Sequence, residues 1–272
     1  MPISAMATLK IITIIVLGLA SGSFINAFVW RWHEKKDWVK DRSECVRCHH
    51  KLGFWDLVPV ASWVFLRGKC RYCGKGISAQ YPLVEILTAG LFLGSYIYWP
   101  YKLSGVNVAD FLLWLVILTG LVILAVYDIK WMLLPNKIIA AFTIPAAIMA
   151  ILNVLVANNS LLMALNYTGG VLVGGGVFYL VFIISKGQWI GGGDIKLGFL
   201  LGLIAGSIQS SFLMIFLSAL LGSLISIPML VTHKAKRTSK IPYGPFLILG
   251  LYVVQLFGVT ILNWYYHSFM GL

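Results

Sequence analysis

The sequence predicts an all-α polytopic membrane protein with about eight transmembrane helices. Both termini lie outside, and a small zinc-ribbon-like cytoplasmic domain sits between helices one and two. Three observations predict this. Hydrophobic residues make up 60% of the 272 and charged residues only 11%, whereas a soluble domain of this size carries about a quarter charged. The apolar residues form runs of about 20, the length that crosses a bilayer as a helix. The basic residues fall almost wholly on one side of those runs.

Taken in order, the runs are 9–30, 83–99, 110–127, 138–157, 161–185, 197–209, 211–231 and 245–264. Inside lipid every backbone polar group must be satisfied within the protein, so such runs are helices or barrel strands. Their length and lack of strict alternation exclude a barrel. The n-region of the first run carries only Lys10, and Ser21-Gly22-Ser23 lies inside the run rather than at a small-residue cleavage site, so it reads as a retained helix. In the fifth, Gly170 and Gly174 are four apart and share a face suited to close packing. The sixth is short and leans on Gly198, Gly202 and Gly206.

Of 21 Lys and Arg, eleven lie in 31–82, and Lys234, Lys236, Arg237 and Lys240 follow the seventh run. With Lys130, Lys137, Lys186 and Lys196 they share one face under strict alternation, and Lys10 and Lys102 take the other. Positive residues mark the cytoplasmic side. The formal charge of +12 is therefore a topology signal and an attraction to anionic membrane lipids. It does not call for nucleic acid. The chain divides by composition into a first transmembrane helix (1–30), a cytoplasmic four-cysteine zinc-binding domain (31–82) and a transmembrane bundle (83–272).

Cys45-Val46-Arg47-Cys48 and Cys70-Arg71-Tyr72-Cys73 form two C-x2-C pairs separated by 21 residues. Each pair offers two sulfurs from one tight turn, and two such turns close a tetrahedron around zinc. Four thiolates leave no open position, so the metal is structural. A redox dithiol is the competing reading, although disulfides rarely persist on the cytoplasmic side. His49 and His50 follow Cys48 and could replace a sulfur; His33, His233 and His267 are isolated and read as surface residues.

Of nine acidic residues, Glu34, Asp37, Asp41, Glu44 and Asp56 lie in the polar stretch, and Glu85 and Asp110 begin apolar runs at interfaces. That leaves Asp128, in Asp128-Ile129-Lys130, and Asp194, in Asp194-Ile195-Lys196 after Gly191-Gly192-Gly193. An ionisable group at the edge of the hydrocarbon is costly to keep and marks a functional site. The topology brings both to the cytoplasmic face. A carboxylate dyad there could perform aspartic-protease chemistry, with Gly191, Gly192 and Gly193 free to take unusual dihedrals and to let a substrate backbone approach. The residues alone equally allow helix-end charges paired with the lysine two positions on, or a coupling-ion site of a proton-coupled transporter with a zinc accessory domain.

The motifs in sequence order narrow this. They are Gly22-Ser23-Phe24-Ile25-Asn26 with Arg31, then Pro59-Val60-Ala61-Ser62-Trp63 and Leu66-Arg67-Gly68-Lys69-Cys70-Arg71-Tyr72-Cys73, then Ile77-Ser78-Ala79-Gln80-Tyr81-Pro82-Leu83-Val84-Glu85. Asp128 with Pro135-Asn136, the Gly-x-Gly-Asp at 191–194 and Ile241-Pro242-Tyr243-Gly244-Pro245-Phe246 complete them. Together they resemble the bacterial type IV prepilin leader peptidase and N-methyltransferase family. The chain departs from the usual pattern at Trp32 after Arg31, at Val46-Arg47 inside the first cysteine pair, and at the small Gly192.

The resemblance implies a peptidase in the bacterial cytoplasmic (inner) membrane, its site facing the cytoplasm. It would cut the basic leader from prepilins or pseudopilins of type IV pilus, type II secretion or DNA-uptake systems. Asp128 and Asp194 match the catalytic aspartates. S-adenosylmethionine would serve as donor to methylate the new N-terminus, and a peptidase without the methyltransferase is the alternative. Glu85, a charge at the mouth of a span, is the candidate contact of that cofactor.

Overall fold

The computed structural model describes residues 5–37, 39–232 and 241–271. The basic cluster Lys234, Lys236, Arg237 and Lys240, and His233 with it, lie outside the described residues. The described chain is helical, and its only strand-like pairings are the isolated bridges Glu44–Lys51 and Lys69–Gly76. It falls into two compact units, residues 1–99 and 100–272.

The first unit is built on α1 (Ala5–His33) and α3 (Gln80–Tyr98). These pack antiparallel at two small-residue contacts. A Cβ on Gly22 would lie 2.5 Å from Glu85 Cα, and one on Gly18 would lie 2.5 Å from Ala89 Cα. Only glycine permits backbones this close. Between them lie a 3₁₀ turn (Phe54–Asp56), the short α2 (Ala61–Phe65) and the two cysteine turns. Both helices overrun the boundaries drawn from composition, because Arg31 and Gln80 continue a helix as readily as they begin a loop.

The second unit holds α4 (Val106–Trp131), α5 (Asn136–Val156), α6 (Ser160–Ile184), α7 (Gly192–Ala205), α8 (Ile208–Val231) and α9 (Gly244–Tyr265). Its centre is α4, with Trp114, Ile117, Leu118, Leu121 and Leu124 sealed from solvent. The glycine face of α6 meets α7. A Cβ on Gly174 would lie 2.6 Å from the Gly198 carbonyl oxygen, and one on Gly170 would lie 2.8 Å from that of Gly202. Ser211 of α8 donates its hydroxyl to the buried Gly170 carbonyl at 3.0 Å.

All eight expected runs are helices, and seven are long and apolar enough to cross a membrane. The exception is α7. Its 14 residues span about 21 Å at 1.5 Å per residue, short of the roughly 30 Å hydrocarbon core. Gly206 ends it in a left-handed conformation, φ 75°, and α8 starts two residues later.

Candidate active site and cysteine cluster

Asp128 sits in the last full turn of α4, and only 5% of it is exposed. Its backbone carbonyl closes the helix by accepting the Met132 N–H at 2.8 Å, where Met132 adopts a left-handed conformation. Its carboxylate Oδ2 accepts the Gly244 N–H at 3.1 Å. Gly244 opens α9, where the first backbone N–H groups have no helical partner, so the start of one helix receives the carboxylate from the end of another. A Cβ at position 244 would lie 2.7 Å from Asp128 Oδ2, so a side chain there would displace the carboxylate.

Asp194 is half-buried in the first turn of α7, a favourable place for a negative charge. Its N–H donates to the Gly191 carbonyl at 3.1 Å. Asp194 is near enough to Asp128 for the two charges to act on each other, and Tyr243 lies within reach of the same charge. The helix ends of α4, α7 and α9 therefore converge on two carboxylates.

The lysines do not neutralise them. Lys130 lies over the Trp131 ring at 4.8 Å, and Lys196 donates to Asn136 Oδ1 at 2.9 Å. Among the described residues neither aspartate has a cation at ion-pair distance. The glycines before Asp194 do not adopt unusual dihedrals: Gly191 is extended, at φ −75° and ψ 148°, and Gly192 and Gly193 are helical. Their smallness serves approach instead. A Cβ on Gly193 would press against Leu134 at 3.1 Å, whereas Gly192 faces open space, so a larger residue fits there without strain.

Two features of the second unit escape a reading of composition alone. Tyr243-Gly244 contributes directly to the aspartate site, a role only its position in an ordered motif could suggest. Asp110, at the other end of α4, is also buried; it is hydrogen-bonded with Asn153, and Tyr167 is near its charge.

In the first unit, the four cysteines bring their sulfurs within 4.8 Å of one another. All four are free thiols. The tetrahedron edge for Zn–S bonds of 2.3 Å is about 3.8 Å, so the sulfurs need only a small contraction to hold zinc. The two pairs are built alike. Cys45 N–H donates to the His50 carbonyl at 3.0 Å and accepts His49 N–H at 2.9 Å on its own carbonyl; Cys70 repeats this with Lys75 and Gly74, at 2.8 and 2.9 Å. His49 and Gly74 occupy equivalent left-handed positions, φ 56° and 68°. His49 faces Glu44 at 3.5 Å, and His50 stacks on Tyr72, so neither imidazole competes for the metal position. Burial opposes ionisation of Cys45, but N–H groups of Cys48 and Arg47 and neighbouring thiols bring it down to about 7.

Glu85 is 7% exposed in the second turn of α3. Its Oε2 accepts the Val60 N–H at 2.6 Å, and Ser23 of α1 also hydrogen-bonds to it. Asn26 Nδ2 donates to the Tyr81 carbonyl at 3.0 Å. The Gly22-Ser23-Phe24-Ile25-Asn26 motif is thereby explained: Gly22 allows approach, Ser23 and Asn26 supply polar ties, and Ile25 is fully buried.

Fold and site together define a polytopic membrane protein with a carboxylate pair at converging helix ends and a separate four-thiol centre. Residues 16–99 match the bacterial peptidase A24 N-terminal domain, and residues 115–227 match the type IV leader peptidase family. The chain is 30% identical over 260 residues to a prepilin leader peptidase/N-methyltransferase of Bacillus subtilis (strain 168), covering 94% of this chain and 98% of that one. It is 30% identical over 273 residues to a protein of the same name from Stutzerimonas stutzeri, covering 90% of this chain and 89% of the relative. A Pseudomonas aeruginosa protein of that name is 29% identical over 275 residues, covering 92% of this chain and 91% of its own. No solved structure matches. The chain belongs to the type IV leader peptidase family.

Proposed function

We propose that the protein is an aspartic endopeptidase of the bacterial inner membrane. It removes the basic leader from type IV prepilins or pseudopilins at the cytoplasmic face, with Asp128 and Asp194 as its dyad. The observation that carries this reading is the approach of two carboxylates at helix ends, with no cation at ion-pair distance from either among the described residues. Two like charges so placed share one proton. The ionised aspartate takes a proton from water as it attacks the scissile carbonyl. The protonated one polarises that carbonyl and then protonates the departing amine. Gly244 N–H holds the Asp128 carboxylate in place. Gly191 to Gly193 present backbone without side chains, against which the extended leader lies.

The same reading gives the protein a second activity, methylation of the amine that cleavage exposes. S-adenosylmethionine supplies the methyl group, and the chain's task is to bind it and present a neutral amine. Glu85 is carried as the donor's acidic contact, with one carboxylate oxygen already held by Val60 N–H. Cys45, Cys48, Cys70 and Cys73 hold structural zinc, which orders the segment between α1 and α3. Strict alternation of eight spans, with both termini outside, further requires α7 to cross with the help of its flanking turns.

The test is to incubate purified protein with a prepilin and labelled S-adenosylmethionine. Release of the leader together with label on the new N-terminus is expected. Label without cleavage, or neither activity in a folded protein, contradicts the reading.

A further inference from the structure

The segment between the cysteine pairs exposes an apolar surface that the peptidase and methyltransferase reading does not use. Phe54, Trp55 and Phe65 are 76%, 75% and 86% exposed, and Val64 is exposed beside them. They belong to two short elements, the 3₁₀ turn and α2. Trp55 and Phe65, with Val58, Ala61, Leu66 and Arg71, line one groove of about 350 Å³. A water-soluble domain rarely leaves so many large apolar side chains together in solvent.

The structure also fixes the level at which this surface sits. Val60, at the start of α2, donates to Glu85, which lies five residues inside α3. That is about 7.5 Å along the helix axis, and α3 from Gln80 is one of the helices apolar enough to cross a membrane. The far end of α2 is tied as well. Trp63 Nε1 donates to the Ile77 carbonyl at 3.2 Å, and Ile77 N–H donates to the Gly68 carbonyl at 2.7 Å. Thus α2 is fastened at both ends to the chain entering the bilayer. On the same turns of α3, Leu83, Ile86 and Leu87 are exposed, as lipid-facing residues must be.

We propose that the Phe54–Phe65 surface is an interfacial anchor, with Phe54, Trp55, Val64 and Phe65 set into the headgroup–acyl boundary of the bilayer that the helices cross. The occupant of the groove is phospholipid. Tryptophan and phenylalanine suit this zone, tryptophan because its ring is apolar and its N–H can remain wet. Charge agrees: between Gly53 and Gly76, Arg67, Lys69, Arg71 and Lys75 face a single acid, Asp56, giving the segment a net positive charge that complements anionic headgroups. The inference rests on the membrane-spanning fold and not on the aspartate chemistry. Its consequence is that the four-cysteine segment has a fixed depth and tilt on the membrane, which a substrate embedded in the same bilayer would meet in one orientation.

The test uses the full-length protein in nanodiscs of phosphatidylethanolamine and phosphatidylglycerol. The emission of Trp55 is obtained as the difference between wild type and Trp55→Phe. Nanodiscs made with chains brominated at carbons 6 and 7, or at 11 and 12, report depth. The shallow bromines are expected to quench the difference emission at least twofold more than the deep ones, and aqueous acrylamide to quench it weakly. Phe65→Trp gives a second, independent difference signal that should behave the same way. Strong acrylamide quenching with no bromine effect overturns the proposal. So does a surface that becomes shielded from acrylamide only when a prepilin is added, which would make it a peptide-docking site.

Discussion

Replacing Gly244 by alanine probes the aspartate site without removing a carboxylate. The added Cβ would lie 2.7 Å from Asp128 Oδ2 and 3.4 Å from its Cγ, closer than such atoms pack. Asp128 is buried on the last turn of α4 and cannot swing clear while keeping its 3.1 Å bond to the Gly244 N–H. The carboxylate must therefore move and lose that charge-assisted bond, a loss of about 1.5–3 kcal/mol. If the bond orients the dyad in the transition state, kcat falls by about 10- to 150-fold with KM little changed. The assay is steady-state cleavage of a purified prepilin by protein reconstituted in lipid, with helicity and thermal midpoint measured alongside. Gly176→Ala is the matched control, since a Cβ there meets nothing within 4 Å, and it should cleave at the wild-type rate. A folded Gly244→Ala protein with unchanged kcat would refute the role assigned to the Gly244–Asp128 contact.

Elemental analysis should find one zinc per chain, and Cys70→Ser with Cys73→Ser should abolish it. That double variant is expected to lose methyl transfer to an already cleaved pilin N-terminus more than it loses cleavage of the precursor; equal loss would place the cysteine segment in the protease site. Gly174→Val should prevent accumulation of folded protein, because its side chain would drive α6 off α7 where 2.6 Å separates a Cβ from the Gly198 carbonyl; normal thermal stability would refute the packing. Burial disfavours the Asp56 charge, but the Arg71 guanidinium at 2.7 Å, the Gly53 N–H and the Tyr72 hydroxyl hold its carboxyl below the usual range. A depressed folded value stabilises above the unfolded pKa of about 4 and is lost as pH falls through the folded one. Asp56→Asn should then cost about 1–2 kcal/mol at neutral pH, a deficit that urea titrations show shrinking on acidification; a deficit independent of pH would contradict the assignment.

Much of this protein could be read from residue order alone, because a bilayer leaves few options. Runs of apolar residues had to be helices, and all eight are. The cysteine spacing fixed two identical turns, and the sulfurs meet as two such turns require. The limits are physical. The 14-residue α7 is apolar like a span but shorter than the hydrocarbon core is thick, since its glycines serve contact with α6 and not length. Asp110 and Glu85 could be placed only at the starts of apolar runs, yet both are buried with polar partners from other elements. Such burial depends on tertiary contacts that periodicity does not encode. Gly244 was visible only as part of a motif, since nothing local says that its N–H meets a carboxylate 116 residues earlier in the chain.

The central claim is that Asp128 and Asp194 act as one catalytic unit. The most direct measurement is the rate of leader cleavage by Asp128→Asn, Asp194→Asn and the double variant, each reconstituted in lipid and shown to be folded. A shared-proton dyad predicts that each single change lowers the rate by several orders of magnitude, and that the double change adds little further loss. Losses that simply multiply, or a folded single variant that still cleaves near the wild-type rate, would contradict it.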